Sequence, residues 1–374
     1  MHLKFLFCSF ACLDHGLCLN LNKMNANVKE LFRIASAPER KIIGLMSGTS
    51  LDGLDIAYCS FSGSGLNTQV RVLNFATVPY NPDIRSKIKN IFAKRDADLQ
   101  EVCLLNEMIG ALHAQMILST LCSWKIDSSQ VDLIASHGQT VFHAPKILHN
   151  RASYPNGTLQ IGDGDHIAVG TGIITLSDFR QKHIAAGGEG APLAVYGDYL
   201  IFSKEGENRI MLNIGGISNF TFLPGDRDAS KVFSTDAGPG NTLMDQYIQK
   251  AAPGKYFDEN AEMSLSGDLS EPLLNALLDD PFFSGDLPKT TGPELFNLAY
   301  LNRAISNAGD PVLSNADLMA TLCHFSARAI SDAINKCSNA GDELNIYMSG
   351  GGMHNPLLTR LLKEQVPYAR FMST

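Results

Sequence analysis

Two stretches of this sequence repeat one pattern about 170 residues apart (Gly48 to Gly215), and the fold has to accommodate both. Residues 41–61 read KIIGLMSGTSLDGLDIAYCSF: an apolar run enters a turn, and an alternating run leaves through Leu54, Ile56, Tyr58 and Phe61. Residues 209–223 read RIMLNIGGISNFTFL, an apolar run into Gly215 and Gly216 and an alternating run out. Each predicts a strand, a tight glycine turn and a returning strand. Such hairpins at the heads of two halves of similar size predict a duplicated α/β architecture.

The first turn carries chemistry as well as shape. Gly48 and Gly53 permit backbone geometries that a Cβ would forbid, so main-chain N–H groups can face an anion. Thr49 and Ser50 add hydroxyl donors, and Asp52 and Asp55 offer carboxylates to a cation or its waters. Taken by itself, the stretch fits a phosphate-binding hairpin and an ordinary Gly/Ser β-turn equally well. A Walker A loop is excluded, because no Lys follows the last glycine and no helix opens there. A Rossmann fingerprint is excluded because residues 55–61 alternate like a strand.

Further chemistry collects at strand ends. Residues 70–78 predict a strand, and 82–95 a short helix opening on Pro82. Leu105, Ile109, Leu112, Met116 and Leu121 predict a long, mostly buried helix ending near Trp124. A short strand over 131–135 is expected to deliver Ser136-His137-Gly138-Gln139-Thr140 at its C-terminal end, where open α/β sheets bind ligands. His137 also fits a hydrogen-bonded structural histidine. Residues 159–162 and 173–177 predict strands, the second leading into Asp178-Phe179-Arg180 and a glycine-rich run over 186–191. Asp178 also fits a residue that caps the following turn. In the second half, a strand over 232–234 leads to Asp236, Gly238 and Gly240 and then to a helix from Thr242. Another over 345–348 leads to Gly350, Gly351 and Gly352, with a helix starting near Pro356. Glycines between strand and helix let backbone approach a flat or anionic ligand closely.

Composition limits the partners. The chain is 45% hydrophobic and 18% charged, with net charge −8 and no basic run. That argues against nucleic acid and against an anionic membrane surface. Eight cysteines show no CxxC pair or metal spacing, and no metal-ligand set is assigned. Cys59, Cys103, Cys122, Cys323 and Cys337 have apolar neighbours, which predicts buried thiols in a reducing, cytoplasmic compartment. The apolar run over 2–13 raises a signal peptide, but Asp14 and His15 interrupt it. An upstream extension, with Met24 as a possible start, is the preferred reading. A short helix over 27–36 is expected before the core begins near Glu39. The expected division is 1–40 extension, 41–205 first domain and 206–374 second domain.

These residues together resemble the anhydro-N-acetylmuramic acid kinase family, within the actin/hexokinase/acetate kinase-like ATPase superfamily. The matching blocks are GLMSGTSLDGLD (44–55), SHGQT (136–140), LQIGDGD (159–165), SDFR (177–180) and GGEGAPL (187–193). LNIGGISN (212–219), TDAGPGN (235–241), PKTTGPELFN (288–297) and SGGGMHNP (349–356) follow in the family's order. The resemblance implies two duplicated actin-like ATPase (ribonuclease H-like) domains with mixed sheets flanking an ATP cleft. It implies an ATP- and Mg²⁺-dependent kinase that opens 1,6-anhydro-N-acetylmuramate with water and yields N-acetylmuramate 6-phosphate, in peptidoglycan recycling. It further implies Asp178 as general base, and His137, Gln139 and Arg180 near the sugar. Gly48, Thr49, Ser50, Leu51, Asp52, Gly53, Leu54 and Asp55 would hold the phosphates. Gly215, Gly216, Asp236, Gly238, Gly240, Gly350, Gly351 and Gly352 would serve the nucleotide. A homodimer is expected on the same ground.

The chain departs from the family at Pro293, where Arg is usual, and at Glu189, where Gln is common. It also stops at Thr374, where the family continues into a further helix, so a missing C-terminal helix is expected. A plain amino-sugar kinase, a nucleotide-gated binding protein and an inactive truncated copy are the competing readings. Consumption of the anhydrosugar with ATP separates the first from the leading one.

Overall fold

A computed structural model describes residues 25–48, 51–292, 294–338 and 343–373. The expectations for the apolar run over 2–13, Met24, Thr49, Ser50, Pro293 and Thr374 lie outside the described residues. Two compact units divide the rest. The first holds 25–62, 70–143 and 158–179, and the second holds 63–69, 144–157 and 180–373, so residues 180–205 group with the second.

In the first unit, β1 (Glu39–Ser47), β2 (Gly53–Ser62), β3 (Gln69–Pro79), β4 (Leu133–Ala144) and β5 (Gly157–Ile161) form a sheet ordered β3-β2-β1-β4-β5. A two-residue strand, β6 (Thr175–Leu176), pairs with β4. β1 runs antiparallel to β2 and parallel to β4, so the sheet is mixed. In the second unit, β7 (Asn208–Ile214), β8 (Ile217–Leu223), β9 (Phe233–Pro239), β10 (Leu344–Ser349) and β11 (Ala369–Ser373) are ordered β11-β10-β7-β8-β9. Counted from its first strand, each unit has the order third, second, first, fourth, fifth. In both, the opening hairpin is antiparallel and the fourth strand lies parallel to the first. This is the ribonuclease H-like arrangement that the resemblance implies, present twice over, as the repeated hairpins predict.

Hydrophobic alternation explains which faces are covered. Ile43, Leu45, Leu54 and Ile56 of the first hairpin are buried with Ile109 and Ile117 of the helix Leu99–Trp124. Ile210, Leu212, Ile214 and Phe220 of the second are buried with Phe296, Phe325 and Ile330. Each such side chain contributes about 1.5–3 kcal/mol by leaving water. The helix Leu99–Trp124 is also long and apolar enough to cross a membrane by length and composition. It is capped by the Asp98 carboxylate, which accepts from Gln100 N, and ends on Lys125 at φ 58.

Several local expectations are corrected. The helix from Pro82 ends at Ile91, not near Arg95. Ala93, at φ 57, donates its N–H to Val141 O at 2.9 Å, and this bond to β4 replaces another helical turn. β4 does not stop before the Ser136–His137 motif but runs through it. Its register against β1 shifts between Leu45/Ser136 and Ser47/Gln139, which inserts one extra residue as a bulge. Gly138 sits there at φ 76, and a Cβ would come within 2.8 Å of Ile161 O. β9 likewise runs through Asp236 and Gly238, opposite a register shift at Ser218/Asn219. Cys103 and Cys122 are exposed, contrary to the apolar-neighbour reading, because they fall on the outer side of their helix.

Candidate active site

The glycines of the motifs separate into two kinds by the space around them. A Cβ on Gly53 would lie 2.2 Å from Val78 O, so this glycine is demanded by the close approach of β3. A Cβ on Gly48 would meet only the end of Met46, at 3.6 Å. Gly215, Gly216 and Gly351 are similarly uncrowded, with nearest contacts of 3.5 Å or more. Gly240, Gly350 and Gly352 are packed: a Cβ on each would fall 2.3 Å from Gly215 O, 2.6 Å from Ile214 O and 2.2 Å from Ile214 Cγ2, respectively. Gly238 is held at φ 141 against Ala329 and Phe283. The uncrowded set would accept a methyl group, and the packed set is demanded by the close approach of neighbouring backbone and side chains.

In the first hairpin Leu51 and Leu54 are buried in the core, so only their backbone is available to a ligand. Leu51 is held at φ 55, a strained setting for a branched side chain, and donates its N–H to Gly48 O at 3.4 Å. Asp52 is exposed, and Asp55 accepts from Thr77 Oγ1 at 2.6 Å. Ser47, immediately before the turn, is buried. Its Oγ lies 2.6 Å from Gln139 Oε1, 2.8 Å from Tyr80 OH and 2.9 Å from Gly53 O. Tyr80 OH in turn meets His113 Nε2 at 2.7 Å.

Gln139 is fully buried, and its amide is committed: Nε2 donates to Gly48 O at 2.8 Å and to Thr140 O at 2.9 Å. The resemblance places it beside the sugar; the structure encloses it behind the hairpin. His137 Nδ1 lies 2.9 Å from Gly138 O, which fixes the proton on Nδ1 because a carbonyl only accepts. Asp178 is exposed after β6, at φ 59, a conformation that Asp and Asn tolerate better than other side chains. Arg180 begins the second unit. Its NH1 donates to Gly190 O at 2.9 Å, and burial holds its pKa below the usual guanidinium value. Gly190 N donates to His183 Nδ1 and Asn156 Nδ2 donates to Gly188 O, so three side chains order the glycine-rich loop.

In the second unit the carbonyls of Gly215 and Gly216 accept from Asn241 N and Thr242 N, at 2.8 and 3.0 Å. The second hairpin is thereby tied to the start of the helix Thr242–Ala251. Asp236 accepts from Thr291 N at 2.8 Å, and burial pushes its carboxyl pKa up. Lys289 O accepts from Asp236 N, while burial and then Lys336 bring the Lys289 amine down to about 8. A cavity of about 500 Å³ is lined by Asn241, Met244, Asp245, Phe257, Gly351 and His354. Burial pushes Asp245, on its wall, up to about 6.

Sequence reasoning missed Ser47, Tyr80, His113, His183 and this cavity. The Ser47 hydroxyl beside the turn was the available signal. Among the described residues, one group suited to a cation is Glu107, Asp163 and His166, on the surface of the first unit and outside every carboxylate named above.

A family model described as anhydro-N-acetylmuramic acid kinase matches residues 40–374. The chain is 54% identical over 344 residues to a protein of that name from Pseudoalteromonas atlantica, covering 92% of this chain and 86% of the relative. It is 51% identical to one from Pseudoalteromonas translucida, with the same two coverages. It is 35% identical to one from Caldanaerobacter subterraneus, over 92% of this chain and 87% of that protein.

Proposed function

The chain belongs to the anhydro-N-acetylmuramic acid kinase family, and from that premise we propose how its residues share the reaction. It is an ATP-using phosphotransferase that converts 1,6-anhydro-N-acetylmuramate and water to N-acetylmuramate 6-phosphate, in the recycling of cell-wall sugar. Two bond changes have to be coupled. Water adds to the anomeric carbon as the C1–O6 bond breaks, and O6 then attacks the γ-phosphorus of ATP while ADP leaves.

Asp178 is the general base: it takes one proton from the attacking water and later returns it to solvent. Its exposed carboxylate, two residues past the end of β6, suits that role. His137 and Arg180 position the sugar, Arg180 by way of the glycine-rich loop it holds. Taken each in its own unit, backbone at Gly48 and backbone at Gly215-Gly216 suits phosphate, and the cavity beside Gly351 suits a nucleoside in size. The observation that carries this assignment is that a Cβ on Gly48, Gly215 or Gly216 would meet nothing closer than 3.5 Å, whereas one on Gly53 or Gly240 would collide with backbone. Asp52, exposed beside the turn, is the carboxylate whose chemistry fits a phosphate-bound Mg²⁺. The ion would supply neutralisation of phosphate charge. A homodimer in a reducing cytoplasm belongs to the same reading, supported on the second point by five free cysteines among the described residues.

The test is a reaction of the purified chain with ATP and Mg²⁺ in ¹⁸O-water, with the anhydrosugar and the open sugar supplied separately. The proposal expects a 6-phosphate carrying one ¹⁸O on the sugar carbon skeleton, from the anhydrosugar alone. Phosphorylation of the open sugar with the anhydrosugar left intact would establish a plain amino-sugar kinase instead.

A further inference from the structure

The buried polar groups behind the first hairpin constrain one another's protons. Gln139 Nε2 faces two carbonyl oxygens, Gly48 O and Thr140 O, so the amide cannot be flipped without setting oxygen against oxygen. Gln139 Oε1 is then an acceptor, and at 2.6 Å it takes the Ser47 hydroxyl proton in preference to Gly53 O, the longer contact at 2.9 Å. With that proton committed, the contact between Ser47 Oγ and Tyr80 OH requires Tyr80 to donate. Tyr80 oxygen must therefore accept from His113, which puts the histidine proton on Nε2. Nδ1 is left bare, and it is indeed a buried atom with no hydrogen-bond partner among the described residues. Burial agrees with each assignment: it lowers His113 to about 4, keeping it neutral, and raises Tyr80 to about 12, keeping its proton. The two rings lie nearly parallel, 2° apart, with centroids separated by 6.1 Å.

We propose that His113, Tyr80, Ser47 and Gln139 form a one-directional hydrogen-bond relay that positions the Gly48 carbonyl, and with it the turn that follows, for phosphoryl transfer. Gln139 and Tyr80 are on this account positioning residues, not sugar ligands. The proposal rests on the reading that this turn receives the ATP phosphates. Its physical basis is the charge on a peptide. A carbonyl oxygen carries the negative end of the peptide dipole, and tying it into the interior withdraws that end from a polyphosphate. The second hairpin solves the same problem without side chains: backbone amides of Asn241 and Thr242 hold the carbonyls of Gly215 and Gly216. The first hairpin depends instead on a glutamine brought into register by the β4 bulge. It is therefore the one that single substitutions can disturb.

The experiment compares Tyr80→Phe, Gln139→Leu and the double variant in the full chain, with two readouts. In ligand-free protein, amide NMR resonances of Gly48 and Leu51 are expected to move in both single variants, while those of Gly215 and Gly216 stay in place. In turnover, each single variant is expected to lose about tenfold or more in kcat with little change in KM for ATP. The double variant should be no slower than Gln139→Leu, because both changes break one chain. A normal kcat in Tyr80→Phe, losses that multiply in the double, or a fall in kcat with no movement at Leu51 overturns the proposal. Gly48→Ala separates the two layers of the argument. If it leaves ATP binding and kcat intact, the phosphate reading of the turn has failed, whatever the relay variants do to the resonances.

Discussion

Ser47 Oγ lies 2.6 Å from Gln139 Oε1, joining residues 92 positions apart in sequence. The contact ties the last residue of β1 to the first residue beyond the bulge of β4. The glycine turn thus starts from a fixed point, although its own residues include two of the smallest side chains in the chain. A turn that receives phosphate, as proposed for this one, needs such a rigid base.

The two glycines of this hairpin should behave differently. Gly48→Ala has room for its methyl group and is expected to change stability by less than about 0.5 kcal/mol, while weakening ATP binding about tenfold. Gly53→Ala drives a methyl group into Val78 O and is expected to cost about 3 kcal/mol of stability. Urea denaturation and ATP titration of the two variants check this. Equal losses of stability would remove the distinction between open and packed glycines.

His113 gives the protein a pH dependence of known sign. Burial lowers its folded pKa to about 4, below the ordinary 6.5, so the unfolded chain binds the proton more readily. Stability is therefore full above pH 6.5 and falls as pH drops from 6.5 toward 4, by roughly 3 kcal/mol from this one group. His113→Leu should remove that part of the slope, leaving the remaining carboxylate contributions unchanged. Denaturation curves at pH 7.5, 6 and 5 measure it, and parallel pH profiles for both proteins would contradict the assignment.

Arg180 should act on the sugar through the loop it holds. Arg180→Lys cannot reproduce the guanidinium bond to Gly190 O, so amides of residues 187–190 should exchange faster. The KM for the anhydrosugar should rise about tenfold with the KM for ATP unchanged. Unaltered exchange in the loop would show that Arg180 does not order it.

How much of this was legible in the sequence follows from what is local. Both glycine hairpins, the start of the helix at Pro82 and the strand before Asp178 are patterns of neighbouring residues, and reading along the chain finds them. The strand before Asp178 is nevertheless shorter than its apolar run, because only Thr175 and Leu176 pair with β4. The bulge in β4 depends on pairing with β1, nearly a hundred residues away, so the Ser136–Thr140 motif read as a loop after a strand. Tyr80 and His113 belong to no motif: nothing near them in sequence marks a buried donor chain. Gln139 was visible as a motif residue, but its burial was not. A polar residue in a strand faces solvent or interior according to register, and the bulge sets that register.

The central claim is that Asp178 serves as the base for ring opening and that phosphorylation depends on it. Asp178→Asn keeps a side chain that tolerates φ 59 and removes only the basic oxygen. The direct measurement is single-turnover conversion of the anhydrosugar by this variant at saturating ATP and Mg²⁺, alongside ATP binding by calorimetry. The account predicts no detectable opening and no 6-phosphate, with ATP affinity within about twofold of the unaltered chain. Turnover at the rate of the unaltered chain would remove Asp178 from the mechanism.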